Sequence, residues 1–529
     1  MIEFWHSYEP GTTVRRCSLR PLMAAVLALA LATGLAAQAP AAVTGEQKAS
    51  SRISPEQAKK LFALVDPLLK FSSEETGLPI KSSVHRRLTT RDEVERYLNQ
   101  KMNEDESAKR LQRDEIVLKK FGLLDRDFAL KPFLLALLKE QVEAYYDPKT
   151  KTVNLLDWVD VEEQKPVLAH ELTHALQDQH CSLERWGNQT PDEVSSSATA
   201  DRDHLAKDEI DTARDAVVEG QATAVMMDYV LRPLGKSLVK DPEVIEFMRQ
   251  QMSGGTDSPV MARAPLLLSE SMLFPYREGL GFEQDIWMEK GRTAAFAGML
   301  DRPPSSSWEI LNPREYEQQH APAVPLMPDI HPLVDTLYRP YDIGQIGQLD
   351  LRTMLKLFGG DEAARNLTSA WNGGFYWAGQ QRNGTQTGTA SLALLYLSSW
   401  RNPASARAFA KLYGDNLAHK YNSVKLETTE ATPGNGIGAT QIYATSEGPV
   451  LVAVRGKNVV VTESFPLPLA HTLVSSVLDA QGSGVLLRAA LPATLLPPSA
   501  ASQLARTLHS YGTLKTATRA VLRVQTQRD

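Results

Sequence analysis

One short stretch of sequence, from Val167 to His174, limits the possible folds more than any other part of the chain. It reads Val-Leu-Ala-His-Glu-Leu-Thr-His, is largely apolar, and predicts a helix that runs from Val167 to about Gln179, with Pro166 in its first turn. Residues four apart lie on the same face of a helix. His170 and His174 therefore point the same way, and their rings can converge on one metal ion.

Glu171 follows the first of these histidines and suggests what the metal does. A catalytic zinc ion takes imidazole nitrogens at about 2.0–2.1 Å and keeps three protein ligands and one water. A carboxylate beside the first ligand can take a proton from that water as the water attacks a carbonyl carbon. We expect His170 and His174 to be zinc ligands and Glu171 to be the general base. A chance pair of histidines on a solvated helix face is the alternative.

Two residues compete to be the third ligand. His180 lies six residues after His174, a spacing in which a glycine normally turns the chain off the helix, but Gln177 occupies the glycine position. Glu219 lies in an apolar helical segment, where a buried carboxylate needs a cation or hydrogen bonds. We expect Glu219 to be the ligand, with Gly220 allowing two helices to approach closely. A salt-bridged helical glutamate is the alternative.

The sequence around these residues is similar to a known family. The run from Val167 to His180 resembles a family of uncharacterised exported bacterial proteins, which is grouped with the gluzincins, the thermolysin-like zinc metallopeptidases. The resemblance covers about residues 140 to 316 and includes Tyr145 to Pro148, Val218 to Thr223, Phe274 to Gly279 and Pro303 to Pro313. It implies a zincin fold in which His170, His174 and Glu219 bind zinc and Glu171 acts as the base.

The residues that would orient the ligand histidines are less clearly marked. Asp215 is one helical turn before Glu219 and Asp178 is one turn after His174, so either carboxylate could accept the second ring N–H of a histidine. A plain solvated or capping role is the alternative for both. Thermolysin-like enzymes often carry an acid four residues after the ligand glutamate, and this chain has Thr223 there.

A group that stabilises the negative charge developing on the substrate oxygen should also exist. Tyr276 and Arg277 are the first choice, because they lie in the Phe-Pro-Tyr element of the resemblance. A packing motif at a turn is the alternative reading of that element. Tyr229 and His204 are more remote options.

The rest of the chain predicts an α/β (α+β) protein, mostly helical, around the zincin-like metallopeptidase core. Ser54 and Pro55 indicate a helix start. Further along we expect an apolar helix at Phe133 to Tyr146, a strand at Thr152 to Leu156, a loop at Asn188 to Asp208 and a helix from Asp208 to Tyr229. Near the end, β-like segments at 441–445, 450–455 and 458–462 precede a helix at 470–478.

These patterns divide the 529 residues into several domains, since one hydrophobic core cannot grow to that size. We expect a signal peptide (1–41), a helical N-terminal segment (42–130), a zincin-like catalytic domain (131–330), a helical region (331–420) and a small C-terminal α/β module (421–529).

The N-terminus predicts export to the periplasm or secretion. A basic segment with Arg15 and Arg16 precedes the apolar stretch from Leu22 to Ala32, and small residues follow. We expect cleavage after Ala41; an uncleaved signal would instead anchor the protein to the membrane. Cys181 would be the one cysteine of the mature chain, which excludes an internal disulfide.

Composition and motif together indicate the partners. The net charge is −6 and no dense run of lysine or arginine occurs, which argues against a nucleic acid partner. We expect Zn²⁺-dependent hydrolysis of a peptide or protein substrate, which would pair with the strand at Thr152 to Leu156 as a sheet edge. The alternative is a non-catalytic zinc-binding scaffold of the envelope. A structural zinc site, however, has four protein ligands and no use for a carboxylate such as Glu171.

Overall fold

The computed structural model describes residues 52–103, 105–187, 196–253, 258–320, 324–432 and 438–481. The signal peptide expected at 1–41 lies outside these residues. No helix in the described part of the chain is both long and apolar enough to cross a membrane.

The described residues form a mixed α/β protein with two sheets. Its strands are β1 (His85–Thr89), β2 (Ala144–Asp147), β3 (Thr152–Leu156), β4 (Tyr338–Gln345), β5 (Trp371–Gln381), β6 (Leu392–Trp400), β7 (Val424–Ala431), β8 (Gly438–Thr445), β9 (Gly448–Arg455) and β10 (Asn458–Glu463).

The helices of the N-terminal half are α1 (Pro55–Ala63), α2 (Val65–Thr76), α3 (Arg91–Asn103), α4 (Asp105–Phe121), α5 (Leu130–Gln141), α6 (Val161–Cys181), α7 (Leu183–Trp186), α8 (Ala198–Lys207), α9 (Ile210–Leu231) and α10 (Glu243–Ser253). Those that follow are α11 (Leu266–Phe274), α12 (Leu280–Lys290), α13 (Met299–Asp301), α14 (Ser307–Leu311), α15 (Pro313–Glu317), α16 (His331–Val334), α17 (Gln348–Leu367), α18 (Pro403–Asp415), α19 (Leu417–Lys420) and α20 (Leu467–Ala480). Two π-helical segments, Pro275–Gly279 and Ala294–Gly298, lie on either side of α12 in the sequence.

The first sheet has three strands in the order β1-β3-β2. β3 pairs with β1 in parallel and with β2 in antiparallel orientation, so it lies in the middle. The expectation that Thr152 to Leu156 forms a sheet edge is therefore wrong. The strand itself is confirmed, but both of its sides are hydrogen-bonded to neighbours, and among the described residues β2 is an edge instead.

The second sheet has seven antiparallel strands in the order β4-β5-β6-β10-β9-β8-β7. The three predicted C-terminal strands and the following helix are confirmed as β8, β9, β10 and α20. Residues 331–420 were expected to be helical, but they also supply β4, β5 and β6. The pairing of β6 with β10 joins the sheet across residue 420. The domain boundaries inside the chain stay predictions.

Two strands of this sheet, β5 and β6, are long and largely apolar in sequence. Both faces of each strand are buried. Tyr376 and Tyr396 belong to a core that also contains residues of α4 and α18, whereas Trp377 and Leu395 belong to a second core shared with α20. A strand buried on both faces shows no alternation of polar and apolar residues. Periodicity alone cannot distinguish such a run from a buried helix.

Helix α6, which carries both histidines, is longer at its start than expected. It begins at Val161, capped by the Asp160 side chain, so Pro166 lies inside the helix rather than in its first turn. α6 packs against α2 and α9, and the hydroxyl of Ser72 on α2 donates to the Ala169 carbonyl at 3.1 Å. The helix that carries the histidines is thus held on both sides.

Three other local expectations have mixed outcomes. The helix start at Ser54 is confirmed, because its side chain accepts from the Gln57 N–H at the beginning of α1. The helix expected up to Tyr146 ends at Gln141, and the chain then forms β2. The loop expected up to Asp208 is wrong beyond Ser197, which caps α8, whereas the following helix is confirmed as α9.

Two buried carboxyl groups, those of Glu209 and Asp350, make stability depend on pH. Burial raises the pKa of both, and repulsion from Glu209 adds to the rise at Asp350, whose pKa reaches about 8. The folded chain therefore keeps protons that the unfolded chain has already lost. Stability that is present below about pH 4 is lost as the pH rises towards 8.

We predict that Asp350→Asn removes much of this loss. The amide keeps an acceptor for the Gly347 N–H, which now donates to Asp350 Oδ2 at 3.3 Å, but it carries no charge at any pH. Urea unfolding at pH 6 and pH 9 should show a wild-type decrease on the order of a few kcal/mol that is smaller in the variant. Part of the decrease should remain, because burial also raises the pKa of Glu209 and Glu283. Equal pH dependence of the two proteins would contradict this assignment.

Candidate metal centre

Two packed helices, α6 and α9, bring the three predicted ligands together. His170 Nε2 lies 3.1 Å from Glu219 Oε2, and His174 Nε2 lies 3.0 Å from His170 Nε2 and 3.6 Å from Glu219 Oε1. One donor atom from each residue lies within 4.8 Å of the others. The side chains are buried, with at most 7 % of any of these residues exposed.

The geometry follows from the two helices. His170 and His174 are one turn apart on α6, with ring centroids 4.6 Å apart and planes at 85°, so their edges rather than their faces meet. Glu219 lies on the face of α9 that packs against α6. His180, the competing candidate, is outside this group; its Nε2 lies 2.9 Å from Asp301 Oδ1.

The electrostatics of the cluster favour a cation. Burial alone would raise the pKa of the Glu219 carboxyl, but His174 and the hydrogen bonds of both histidines hold it well below its usual range. Burial would lower the pKa of His174, but the charge of Glu219 raises it to about 9. Two imidazole nitrogens and one carboxylate oxygen around one point are a donor set that suits a transition-metal ion. The three residues could hold such an ion.

Glu171, the predicted base, is fully buried next to His170. Its Oε2 accepts a hydrogen bond of 2.7 Å from the backbone N–H of Tyr146 on β2. This bond links α6 to β2, an edge strand of the first sheet as described. This hydrogen bond restricts the orientation of the Glu171 carboxylate.

Tyr276 also reaches the cluster, from the π-helical segment Pro275–Gly279. Its ring lies nearly parallel to that of His170, with centroids 6.2 Å apart. Burial and then the charge and hydrogen bonding of Glu219 raise the pKa of its hydroxyl well above the usual value. The hydroxyl thus keeps its proton at neutral pH.

The other three options for an oxyanion group are engaged elsewhere. Arg277 forms ion pairs with Glu270 at 2.5 Å and Glu278 at 3.2 Å. Tyr229 packs its ring edge-on against Phe71. His204 lies on α8, with Nε2 3.9 Å from Asp208 Oδ1.

The tyrosine can approach because two glycines meet where its segment crosses α9. A Cβ atom on Gly220 would lie 2.5 Å from the Gly279 carbonyl, and one on Gly279 would lie 2.1 Å from the Ala216 carbonyl oxygen. Real Cβ atoms do not approach backbone atoms so closely. The expected role of Gly220 in close packing is confirmed, and Gly279 shares it.

We predict that Gly279→Ala forces the two segments apart. The variant should lose about 1–3 kcal/mol of folding stability, as overpacked cores do. Gly281→Ala is the matched control, because a Cβ there meets only the Arg249 side chain at 3.8 Å. Thermal and urea unfolding of both variants would test this, and equal stability of the two would show that the contact is not tight.

The expected carboxylate partners of the histidines are not found. Asp178 accepts instead from the Tyr146 hydroxyl at 2.8 Å and from Lys151 Nζ at 2.6 Å. His170 Nδ1 is buried without a hydrogen-bond partner among the described residues, so Asp215 does not orient that ring. His174 Nδ1 lies 2.8 Å from Gln177 Oε1, a contact that the sequence analysis missed. In the sequence, the only indication of this contact is that position 177 holds a polar residue where a glycine would end the helix.

Comparisons of the chain with models of protein families, with curated proteins and with solved structures find no match. The function of the cluster must therefore be argued from its own geometry.

Proposed function

We propose that this protein is a zinc metallopeptidase of the gluzincin type, with a zincin-like core around α6 and α9. One observation carries the proposal: the donor atoms of His170, His174 and Glu219 converge in a buried cluster, and the buried Glu171 directly follows His170 on the same helix. Two histidines and one carboxylate form the ligand set of a catalytic zinc, which leaves one coordination position for water.

The choice of zinc follows from the ligands. Imidazole suits several transition metals, and a mixed set of two nitrogens and one oxygen is typical of hydrolytic zinc. When bound, zinc would supply Lewis-acid activation of water and of the scissile carbonyl group.

Glu171 is proposed to take a proton from the attacking water and to deliver it to the leaving nitrogen. The Tyr146 N–H, 2.7 Å from its Oε2, holds the carboxylate in one orientation for both transfers. A fixed base next to the reacting atoms avoids the cost of reorganisation during the reaction.

Tyr276 is proposed to donate a hydrogen bond to the negative charge that develops on the substrate oxygen. Its raised pKa keeps the hydroxyl protonated, and its ring lies beside that of His170, with centroids 6.2 Å apart. A donor of this kind typically contributes about 10²–10³-fold in kcat.

The substrate is proposed to be an extended peptide that pairs with β2. Within the described residues β2 has a strand neighbour on one side only, and its Tyr146 N–H is bonded to the base. Backbone pairing at a sheet edge gives affinity with little dependence on sequence. No nucleic acid partner is proposed.

One observation favours a second candidate, a non-catalytic zinc-binding scaffold. His170 is fully buried, and His174 and Glu219 are 7 % and 5 % exposed, so a peptide must displace part of the surroundings to reach the cluster. Against this candidate, the group found among the described residues has three members, whereas a structural zinc site uses four.

Cleavage of a peptide library separates the two candidates. The purified protein is incubated with the library at neutral pH, and new termini are identified by mass spectrometry, with and without a chelator. Chelator-sensitive cleavage supports the peptidase. Stoichiometric zinc without any cleavage across the library would favour the scaffold.

Export to the periplasm or the medium is also proposed, with membrane association only if the signal is not removed. Mass spectrometry of the protein recovered from its host should give a mature N-terminus at Ala42. Recovery of the intact N-terminus from the cytoplasm would contradict this.

A further inference from the structure

The second nitrogen of the His174 ring is held by an uncharged group. Its Nδ1 lies 2.8 Å from Gln177 Oε1, and Gln177, one turn further along α6, is fully buried. Ligand histidines usually donate this N–H to a carboxylate, a backbone carbonyl or water. The orientation of the Gln177 amide therefore decides which ring nitrogen of His174 carries a proton.

That orientation is determined by backbone atoms. Gln177 Nε2 lies 3.0 Å from the carbonyl oxygen of Val218, which can only accept. The NH₂ end of the amide must therefore face Val218, and the oxygen end must face His174. An oxygen acceptor requires Nδ1 of His174 to be the donor, which leaves Nε2 to bind a metal.

A second glutamine supports the first. Gln177 Nε2 also donates to Gln221 Oε1 at 2.9 Å, and Gln221 is fully buried as well. Gln221 Nε2 donates to the carbonyl oxygens of Ala295 and Phe296 at 2.8 and 3.0 Å. Those two carbonyls belong to the π-helical segment Ala294–Gly298, and segments of this kind often occur at functional sites.

We propose that Gln177 and Gln221 form a hydrogen-bonded relay that holds the imidazole of His174 with Nε2 towards the metal position. Gln177 and Gln221 are positioning residues, not catalytic ones, and the Gln221 amide donates to backbone carbonyls. The buried carboxyl of Glu283 also interacts with the Gln221 side chain, and burial raises the pKa of that carboxyl well above its usual value. The Nδ1 side of the His174 ring is thus oriented by an uncharged amide oxygen and not by a carboxylate. The role of the relay in zinc binding rests on the proposed function. Its hydrogen bonds are observed independently of that function.

The relay predicts how zinc affinity responds to substitution. Gln177→Met keeps the length of the side chain but removes the acceptor, so zinc affinity should fall about 10–100-fold, the usual effect of losing a partner of a ligand. Gln221→Met should weaken binding less, because Gln177 keeps its bond to Val218. If Gln221 acts through Gln177, the double variant should bind zinc as Gln177→Met does.

Gln179→Met is the matched control. Gln179 is also on α6, but its Oε1 accepts from the N–H groups of Lys81 and Ser82 at 2.7 and 3.0 Å, away from the cluster. Zinc affinity, measured by competition with a chromophoric chelator, should equal that of the wild type. Unfolding of the metal-free variants shows whether each one folds.

The Nδ1–H proton of His174 gives a readout that needs no activity. In protein labelled with ¹⁵N-histidine, this proton should be hydrogen-bonded and slow to exchange in the wild type and in Gln179→Met, with or without zinc. It should exchange faster in Gln177→Met. Wild-type exchange behaviour and zinc affinity in a folded Gln177→Met would overturn the relay. A wild type that has the protected proton but binds no zinc would contradict the proposed function and leave the relay standing.

Discussion

Glu171→Gln should keep the bound zinc and the fold but lose about 10²–10⁴-fold in kcat, the usual contribution of a general base. The amide has nearly the same shape as the carboxylate and can still accept from the Tyr146 N–H. It cannot take a proton from water, and this function belongs to the transition state, so kcat should fall more than KM changes. Initial rates on a peptide found in the library, together with zinc content, measure both quantities.

The matched control for this variant is Glu163→Gln. Glu163 lies near the start of the same helix and its side chain is exposed, so its charge is remote from the cluster. The control should cleave at the wild-type rate. If Glu171→Gln also cleaves at that rate, another group is the base or the activity comes from another site.

Glu219→Gln should lower zinc affinity by more than about 100-fold. Removing a residue that only hydrogen-bonds to a ligand already lowers metal affinity by about 10–100-fold. The carboxylate is the one negative charge among the three donors, and a neutral amide oxygen replaces it poorly in a buried cluster. His180→Ala should keep full zinc affinity, since His180 pairs with Asp301 outside the cluster. The reverse result, zinc lost in His180→Ala and kept in Glu219→Gln, would show that His180 is the third ligand and that the gluzincin assignment is wrong.

The convergence of the ligands was predictable because each part of the signal is local. His170 and His174 are one turn apart on one helix, and the apolar residues around Glu219 indicate a second buried helix. Gly220 marked the close approach of another segment. Each of these patterns lies within a few residues, and helical periodicity converts it directly into a direction in space.

Features that depend on distant parts of the chain were not predictable in the same way. The position of β3 in the middle of its sheet depends on β1, which comes from far upstream and pairs in parallel. β5 and β6 lack alternation because two separate cores cover their two faces.

The role of Gln177 was missed for a related reason. In the sequence, Gln177 indicates only that the helix runs on and that His180 is not the third ligand, because the spacing that would use His180 needs a glycine at this position. Its partners, Gln221 and the Val218 carbonyl, lie on α9, and no spacing along the sequence connects them to α6.

Titration of the metal-free protein with zinc tests the central claim most directly. Protein stripped by a chelator should cleave no peptide, and its rate should rise linearly with added zinc and level off at one equivalent per chain. The same titration of Glu171→Gln should bind one equivalent without restoring cleavage. A stripped wild type that cleaves at full rate, or a zinc-loaded wild type that cleaves nothing in a broad library, would contradict the account.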